Sequence, residues 1–99
     1  MLRFEWDPAK DAANQRKHGI RFQAARRVFT DPFALDEQDR IEGGEPRWRI
    51  TGEIDGTLLF VAYSWSNHDD SSQIIRIISA RHAEPRERRR YWRDRLGEV

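Results

Sequence analysis

The sequence of 99 residues carries a formal net charge of +1, contains no cysteine, and is 37% hydrophobic and 35% charged. This length predicts a single domain spanning residues 1–99. The absence of cysteine excludes disulfides and thiolate metal sites, and it is consistent with a protein of the reducing cytoplasm. The longest apolar run, Leu58–Tyr63, is far shorter than the ~20 residues of a membrane helix, and no signal peptide is visible, so we expect a cytoplasmic protein with no membrane partner.

The chain is predicted to begin with a short strand followed by a helix. Residues 3–6 alternate polar and apolar side chains, which indicates a strand. Asp7 can cap the free amides of a helix and Pro8 suits the first helical position. This helix should run to about Lys17 and end at Gly19, which can adopt the left-handed conformation of a helix stop.

A second helix and a loop are predicted next. Apolar residues recur at three- and four-residue spacing from Phe22 to Phe29, which indicates one buried helix face. Asp31-Pro32 should end this helix. Residues 36–46 are polar and acidic and contain two adjacent glycines, so we expect a loop there.

Three strands are predicted in the second half. Residues 48–54 alternate in the manner of a strand, and Asp55-Gly56 is a strong hairpin signal. Leu58–Trp65 is apolar at nearly every position, as expected for a central strand covered on both faces. After a polar loop over residues 66–72, Gln73–Arg81 is an isoleucine-rich third strand.

The last predicted element is a helix that starts at Glu84-Pro85 and ends near Gly97, with Tyr91, Trp92 and Leu96 as its main apolar residues. The complete order is β-α-α-β-β-β-α. It predicts an α+β fold in which an antiparallel sheet of about four strands carries its two N-terminal helices and one C-terminal helix on one side.

Charge is distributed unevenly along this order. Seven arginines lie between Arg81 and Arg95, whereas eight acids lie between Asp31 and Asp55. This separation favours a polyanionic partner at the basic end and allows a basic partner at the acidic middle. Arginine also binds phosphate with two parallel hydrogen bonds and stacks on bases, which lysine cannot do.

Two blocks of residues, in order and covering nearly the whole chain, resemble a known family signature. The first comprises Phe4-Glu5-Trp6-Asp7-Pro8-Ala9-Lys10, Asn14, Lys17-His18-Gly19, Phe22, Val28-Phe29 and Asp31-Pro32; the second comprises Arg76-Ile77-Ile78-Ser79-Ala80-Arg81, Glu87-Arg88 and Tyr91. Together they resemble the BrnT toxins of bacterial type II toxin–antitoxin systems, within the RelE-like group. His82 departs from the pattern, because a small or apolar residue usually follows the arginine there.

The resemblance implies a RelE-like fold and an endoribonuclease that cuts mRNA and so inhibits translation and growth. It also implies a cognate antitoxin, similar to BrnA, that binds DNA and neutralises the toxin. The toxin–antitoxin complex would repress its own operon through operator DNA, and toxin dimerisation within this complex is one arrangement that it allows.

Cleavage of RNA can use the substrate's own 2′-OH as nucleophile, so it requires proton acceptors and donors and cations around the phosphate. The three histidines are scattered, and the adjacent acids Asp69-Asp70 do not by themselves form a metal-ligand cluster, so we expect neither a metal nor another cofactor. The residues predicted to act in catalysis are Arg76, Arg81, His18, Glu87 and Tyr91, and those predicted to bind RNA are Lys10, Lys17, Arg47, Trp48, His82 and Arg88.

Several of these residues have structural alternatives. Arg76 and Arg81 have opposite parity and can serve one site only if a bulge or the strand end redirects one of them. Tyr91 is equally explained as the core anchor of a polar helix, and Glu87 as a group that orients Arg81 or Arg88. His18 could simply cap its helix. In the same way, Trp48 could belong to the core and His68 to a solvated loop.

Three functional hypotheses therefore stand. The first is a metal-independent ribonuclease toxin. The second is a non-catalytic nucleic-acid-binding or regulatory module whose arginine helix contacts phosphates only. The third is an interaction protein whose basic helix docks an acidic partner.

Overall fold

A computed structural model of the chain describes residues 2–67 and 71–97. It confirms the α+β class. The elements in chain order are β1 (Leu2–Glu5), α1 (Pro8–His18), α2 (Phe22–Ala25), a 3₁₀ helix (Arg26–Thr30), β2 (Leu35–Glu42), β3 (Glu45–Ile54), β4 (Thr57–Asn67), β5 (Gln73–His82) and α3 (Pro85–Arg95). None of the helices among these described residues is long and apolar enough to cross a membrane.

The sheet has five strands in the order β1-β5-β4-β3-β2. β1 runs parallel to β5, while the other neighbouring pairs are antiparallel. The sheet differs in two details from the predicted antiparallel sheet of about four strands: β1 makes it mixed, and it has five strands.

The additional strand is β2, which occupies most of the segment predicted to be a loop over residues 36–46. β2 lies at the sheet edge, and most of its residues are exposed. An edge strand needs little apolar alternation, and charged side chains on it oppose pairing with other chains. Gly43 and Gly44 both adopt positive φ, at 60° and 79°, and form the tight turn of a β2–β3 hairpin.

The boundaries of α1 follow the predicted capping signals. The Asp7 carboxylate accepts a hydrogen bond from the Ala9 amide at 2.9 Å, and Gly19 has φ 72° and donates its N–H to the Gln15 carbonyl. The second helix is shorter than predicted, since its α-helical part ends at Ala25 and a 3₁₀ helix continues to Thr30.

The main core lies between one face of the sheet and the N-terminal helices. Phe22 and Val28 pack there against Ile50, Val61 and Ile77, and each of these side chains is at most 4% exposed. This arrangement requires β3, β4 and β5 to direct alternate residues towards the same helices.

The C-terminal helix packs on the opposite face. Tyr91 of α3 is fully buried against Leu58 and Ala83, and Leu58 alternates with Leu59 of the main core. The expectation that all helices lie on one side was therefore incorrect. The physical reason is the two-sided apolar character of β4, which leaves Leu58 for α3 to cover.

Candidate functional site

A bulge in β5 determines where the two predicted strand arginines point. Ala62 pairs with Ser79 and Tyr63 pairs with Ile77, so Ile78 has no pairing partner. One extra residue reverses the parity of the strand beyond it. Arg76 and Arg81 consequently lie on the same face of the sheet, the one that also carries α3.

This face has small residues at its centre and arginines around them. The pairings Arg49–Ala62–Ser79 and Ser64–Arg76 place these residues in adjacent rows across β3, β4 and β5. Arg47 shares the parity of Arg49. We call the arrangement the arginine face; its members are Arg47, Arg49, Arg76 and Arg81 around Ala62, Ser64 and Ser79.

Carboxylates hold three of these arginines in half-exposed ion pairs. Arg76 lies 3.3 Å from Glu5, and Arg49 lies 3.2 Å from Glu37. The third pair is longer, because the Arg47 Nε lies 3.9 Å from the Glu42 carboxylate. This buried Nε has no hydrogen-bond partner among the described atoms. Exposed pairs of this kind contribute about 0–1 kcal/mol, so a phosphate could replace the carboxylates at low cost.

Arg81 is held more firmly than the other members of the face. Its two terminal nitrogens each donate to one carboxylate oxygen of Glu87 at 2.9 Å, and its guanidinium stacks 4.2 Å above the Phe60 ring centre. Hydrogen bonding to Glu87 raises the pKa of Arg81, although burial acts in the opposite direction. The result is a fixed cation beside an aromatic ring.

Glu87 is ionised and fully engaged in this arrangement. Burial alone would raise the pKa of Glu87, but hydrogen bonds from Arg81 and from the Glu84 amide lower it below its usual range. Its Oε1 also accepts the Glu84 N–H at 2.8 Å. Of the two roles considered from the sequence, orientation of Arg81 matches these contacts better than proton abstraction does.

A cleft of about 340 Å³ opens between the arginine face and α3. Its charged and aromatic lining comprises Glu37, Arg49, Phe60, Arg86, Glu87 and Arg90. None of the residues predicted from the sequence to act in catalysis or bind RNA is Arg49, Phe60, Arg86 or Arg90. The four-residue spacing of Arg86 and Arg90 indicates a shared helix face, but the position of that face depends on how α3 docks.

Tyr91 does not line this cleft and has no exposed surface. Its hydroxyl donates to Asp31 at 2.6 Å and accepts from Arg95 at 3.1 Å. Burial and the bond to Asp31 raise the pKa of Tyr91 to about 12. Tyr91 therefore anchors α3, and it could contact a substrate only if the helix moved.

Three residues predicted on α1 come together at the edge of β5. Lys10, Lys17 and His18 line a shallow pocket of about 230 Å³ with Ile78 and Ser79. Because Ser79 also belongs to the arginine face, this pocket borders it. The bulge at Ile78 thus lies where the α1 cations and the β5 arginines approach one another.

The remaining predicted residues are not brought to the arginine face. Trp48 packs against the main core, so it is separated from Arg47 by the sheet. His82 pairs with Leu59 and lines a pocket beside Gly19 on the core side. Arg88 lies on the outer side of α3 and donates to the Ala83 carbonyl at 2.6 Å.

Some predictions concern residues outside the described part of the chain, namely His68 and Asp69-Asp70. Within residues 2–67 and 71–97, no group of three or more histidine, aspartate or glutamate side chains is placed to hold a metal ion.

Comparison with known proteins gives a family match. The family model described as the ribonuclease toxin BrnT of type II toxin–antitoxin systems matches residues 6–87. This range includes every residue of the arginine face and both residues of the Arg81–Glu87 pair. A search of curated proteins found no match.

Proposed function

Because the chain belongs to the BrnT family of ribonuclease toxins of type II toxin–antitoxin systems, we propose that it cleaves RNA on the arginine face without a metal ion. The observation that carries this proposal is the bulge at Ile78, which places Arg76 and Arg81 on one face with Arg47 and Arg49. Cations from β3 and β5 beside a floor of small residues suit a phosphodiester backbone.

The proposed reaction is an internal transesterification. The 2′-oxygen of the RNA attacks the adjacent phosphorus, its proton passes to a base, and the bond from phosphorus to the 5′-oxygen breaks as that oxygen receives a proton. The products are a 2′,3′-cyclic phosphate and a free 5′-hydroxyl. Negative charge grows on the phosphoryl oxygens in the transition state, where fixed cations stabilise it most.

Arg81 is the proposed catalytic cation, because the two hydrogen bonds that it donates to Glu87 fix its guanidinium before substrate binds. Arg76 and Arg49 would bind the scissile or neighbouring phosphates in exchange for their carboxylate partners. In this proposal Glu87 positions Arg81, and Tyr91 supports α3.

His18 is the proposed proton-transfer group. It lies with Lys10 and Lys17 in the pocket that shares Ser79 with the arginine face, and histidine is the side chain that most often acts as a general acid or base in enzymes. The two lysines would contact the next phosphates along the strand. An RNA path from α1 across the edge of β5 to the cleft under α3 includes all of these groups.

We further propose that mRNA is the substrate in the cytoplasm, so that expression stops translation and growth. The cognate antitoxin implied by family membership would be a DNA-binding protein similar to BrnA that neutralises the toxin and recruits the complex to operator DNA. A dimer of the toxin within that complex is compatible with this scheme.

Variants of Arg81 and Arg49 test the proposal. With purified protein and labelled RNA in EDTA, we expect cleavage by the unmodified chain and at least a 100-fold loss in Arg81→Gln, because removal of one preorganised donor costs about 10²–10³-fold. RNA affinity should fall only a few-fold. Arg49→Gln should lose cleavage less steeply.

Arg27→Gln is the matched control, since Arg27 also forms an exposed ion pair, with Asp55 at 3.1 Å, away from this face. Binding without any cleavage by the unmodified chain would favour the non-catalytic module. Activity that requires an added divalent cation would contradict the metal-free reaction.

A further inference from the structure

The outer side of α3 carries an exposed apolar strip that the proposed reaction does not use. Trp92 and Leu96 lie one turn apart and are 39% and 67% exposed. With Pro85, Arg88, Arg89 and Arg93 they line a shallow groove of about 590 Å³. We call this surface the outer strip of α3. Large apolar side chains at adjacent turns are typical of a docking surface.

The charge of the outer strip has one sign. Glu87 and Asp94 are the only acids between Pro85 and Leu96. Glu87 is directed to Arg81. Asp94 lies two residues after Trp92, so Asp94 and Trp92 face different sides of the helix. Within the described part of the chain, Arg89 and Arg93 form no ion pair. The strip is therefore apolar at its centre and cationic along its rim.

We propose that the outer strip docks an acidic segment of the cognate antitoxin, with apolar side chains over Trp92 and Leu96 and carboxylates on Arg89 and Arg93. This inference rests on the family assignment, which supplies a protein partner. Cationic rims repel one another, which disfavours isologous pairing of two copies. Leu96 offers a nucleic acid neither charge nor stacking, which favours a protein over RNA.

The position of the strip relates docking to inhibition. Arg86 and Arg90, on the other side of the same helix, line the cleft beside the arginine face. A partner seated on α3 thus lies next to the RNA path, and its acidic chain can extend over that path. The antitoxin could therefore bind tightly to the outer strip and block the RNA path from there. It would not need to contact the arginine face in order to bind.

The double variant Trp92→Ala/Leu96→Ala tests the apolar part of the proposal. By calorimetry with the purified antitoxin encoded beside this chain, we expect at least a tenfold loss of affinity, as for the removal of central aromatic anchors. RNA cleavage should stay within about threefold of the unmodified chain. In cells, this variant should stop growth even when the antitoxin is co-expressed.

The chain provides a closely matched control. Trp65 and Ile41 are 41% and 67% exposed and lie on β4 and β2, so Trp65→Ala/Ile41→Ala removes equivalent surface elsewhere.

A second variant, Arg89→Glu/Arg93→Glu, tests the cationic rim and keeps Trp92 and its contacts with Tyr91 and Arg95. This variant should also weaken antitoxin binding at least tenfold, and more at low salt than at high salt.

Unchanged antitoxin affinity in both variants would overturn the proposal. Loss of RNA affinity with unchanged antitoxin binding would instead identify the strip as a nucleic-acid surface, and a changed sedimentation coefficient of the toxin alone would identify it as a contact between copies. Because the readout is binding, the experiment remains decisive even if the chain fails to cleave RNA.

Discussion

Asn14 shows how a residue of the family signature can act through the fold rather than through chemistry. It is 7% exposed. Its amide nitrogen donates to the carbonyls of Ile20 and Ala80 at 2.8 and 2.9 Å, and its oxygen accepts the Ala80 N–H at 3.0 Å. β1 pairs with β5 only as far as Arg76. Beyond Arg76, β5 therefore has no neighbouring strand at this edge, and the Asn14 amide makes the hydrogen bonds to Ala80 that such a strand would make.

Asn14→Ala should lower the free energy of unfolding by about 2–4 kcal/mol, because it leaves buried peptide groups without partners. Asn14→Asp keeps the acceptor but loses the donor, and should be destabilising as well. Urea unfolding measures both, with Gln15→Ala on the exposed side of the same helix as control. A loss below about 1 kcal/mol would show that water satisfies the Ala80 groups instead.

Asp31 joins three parts of the chain through its carboxylate. It accepts hydrogen bonds from the Phe33 and Glu53 amides at 2.9 and 2.8 Å and from the Tyr91 hydroxyl. Burial alone would raise its pKa, but these bonds, with Arg95 nearby, lower the pKa below the ordinary 3.8. The ionised form is therefore favoured in the folded state.

A lowered folded-state pKa gives stability that is complete above the unfolded-state pKa and is lost as the pH falls through the folded value. We therefore expect the free energy of unfolding to decline on acidification below pH ~4. Asp31→Asn should be less stable at neutral pH and should show a shallower decline. Asp55→Asn, at a side chain 78% exposed, is the control. Equal acid sensitivity in Asp31→Asn and the unmodified chain would contradict this account.

At the scale of elements, α3 depends on a single buried side chain for its attachment. Tyr91 is the only residue of the helix that is buried. Two ion pairs also connect the helix to the sheet: the nitrogen–oxygen distance is 3.1 Å between Arg90 and Glu37 and 3.3 Å between Arg95 and Glu53. These pairs are partly exposed and contribute little individually. The position of the cleft thus follows mainly from the packing of Tyr91 against Leu58.

Tyr91→Phe distinguishes an anchor from a catalytic group. The ring stays and only the hydroxyl is lost, so we expect about 1–2 kcal/mol of destabilisation from the unpaired Asp31 oxygen. RNA cleavage should stay within about threefold when measured well below the unfolding temperature. Tyr63→Phe is the matched control, since the Tyr63 hydroxyl donates to Asp36. A loss of cleavage above 100-fold at full folding would restore Tyr91 to the catalytic set.

The elements that the sequence predicted well are those with local signals. Asp7-Pro8 and Gly19 define α1 because capping involves neighbouring residues only. β2 escaped prediction because an edge strand lacks apolar alternation, and the bulge at Ile78 escaped because either Ile77 or Ile78 could face the core. The parity of Arg76 and Arg81 did imply that a bulge was needed. Arg49 and Phe60 could not be assigned to the site, since their proximity to Arg81 depends on the register of three strands.

At the scale of the whole molecule, the two faces of the sheet have different tasks. The N-terminal helices cover the face that forms the main core. α3 covers only part of the other, leaving the arginine face open beside it. The helix itself separates two cationic surfaces, the cleft on its inner side and the outer strip on its other side. This geometry provides room for RNA and a protein partner at adjacent positions.

The near-neutral charge of the whole chain makes a distinct prediction for RNA binding. A net charge of +1 attracts a polyanion only weakly over long range, so affinity must come from the local arginine contacts. Each phosphate contact with single-stranded RNA contributes a slope of about −0.7 to log K against log salt, and the four arginines together with Lys10 and Lys17 give about −4. Arg76→Gln should make this slope shallower by about 0.7, whereas Arg27→Gln, on another surface, should leave it unchanged. Filter binding of labelled RNA over a salt series measures both, and a slope near zero, or equal slopes for the two variants, would place RNA away from the arginine face.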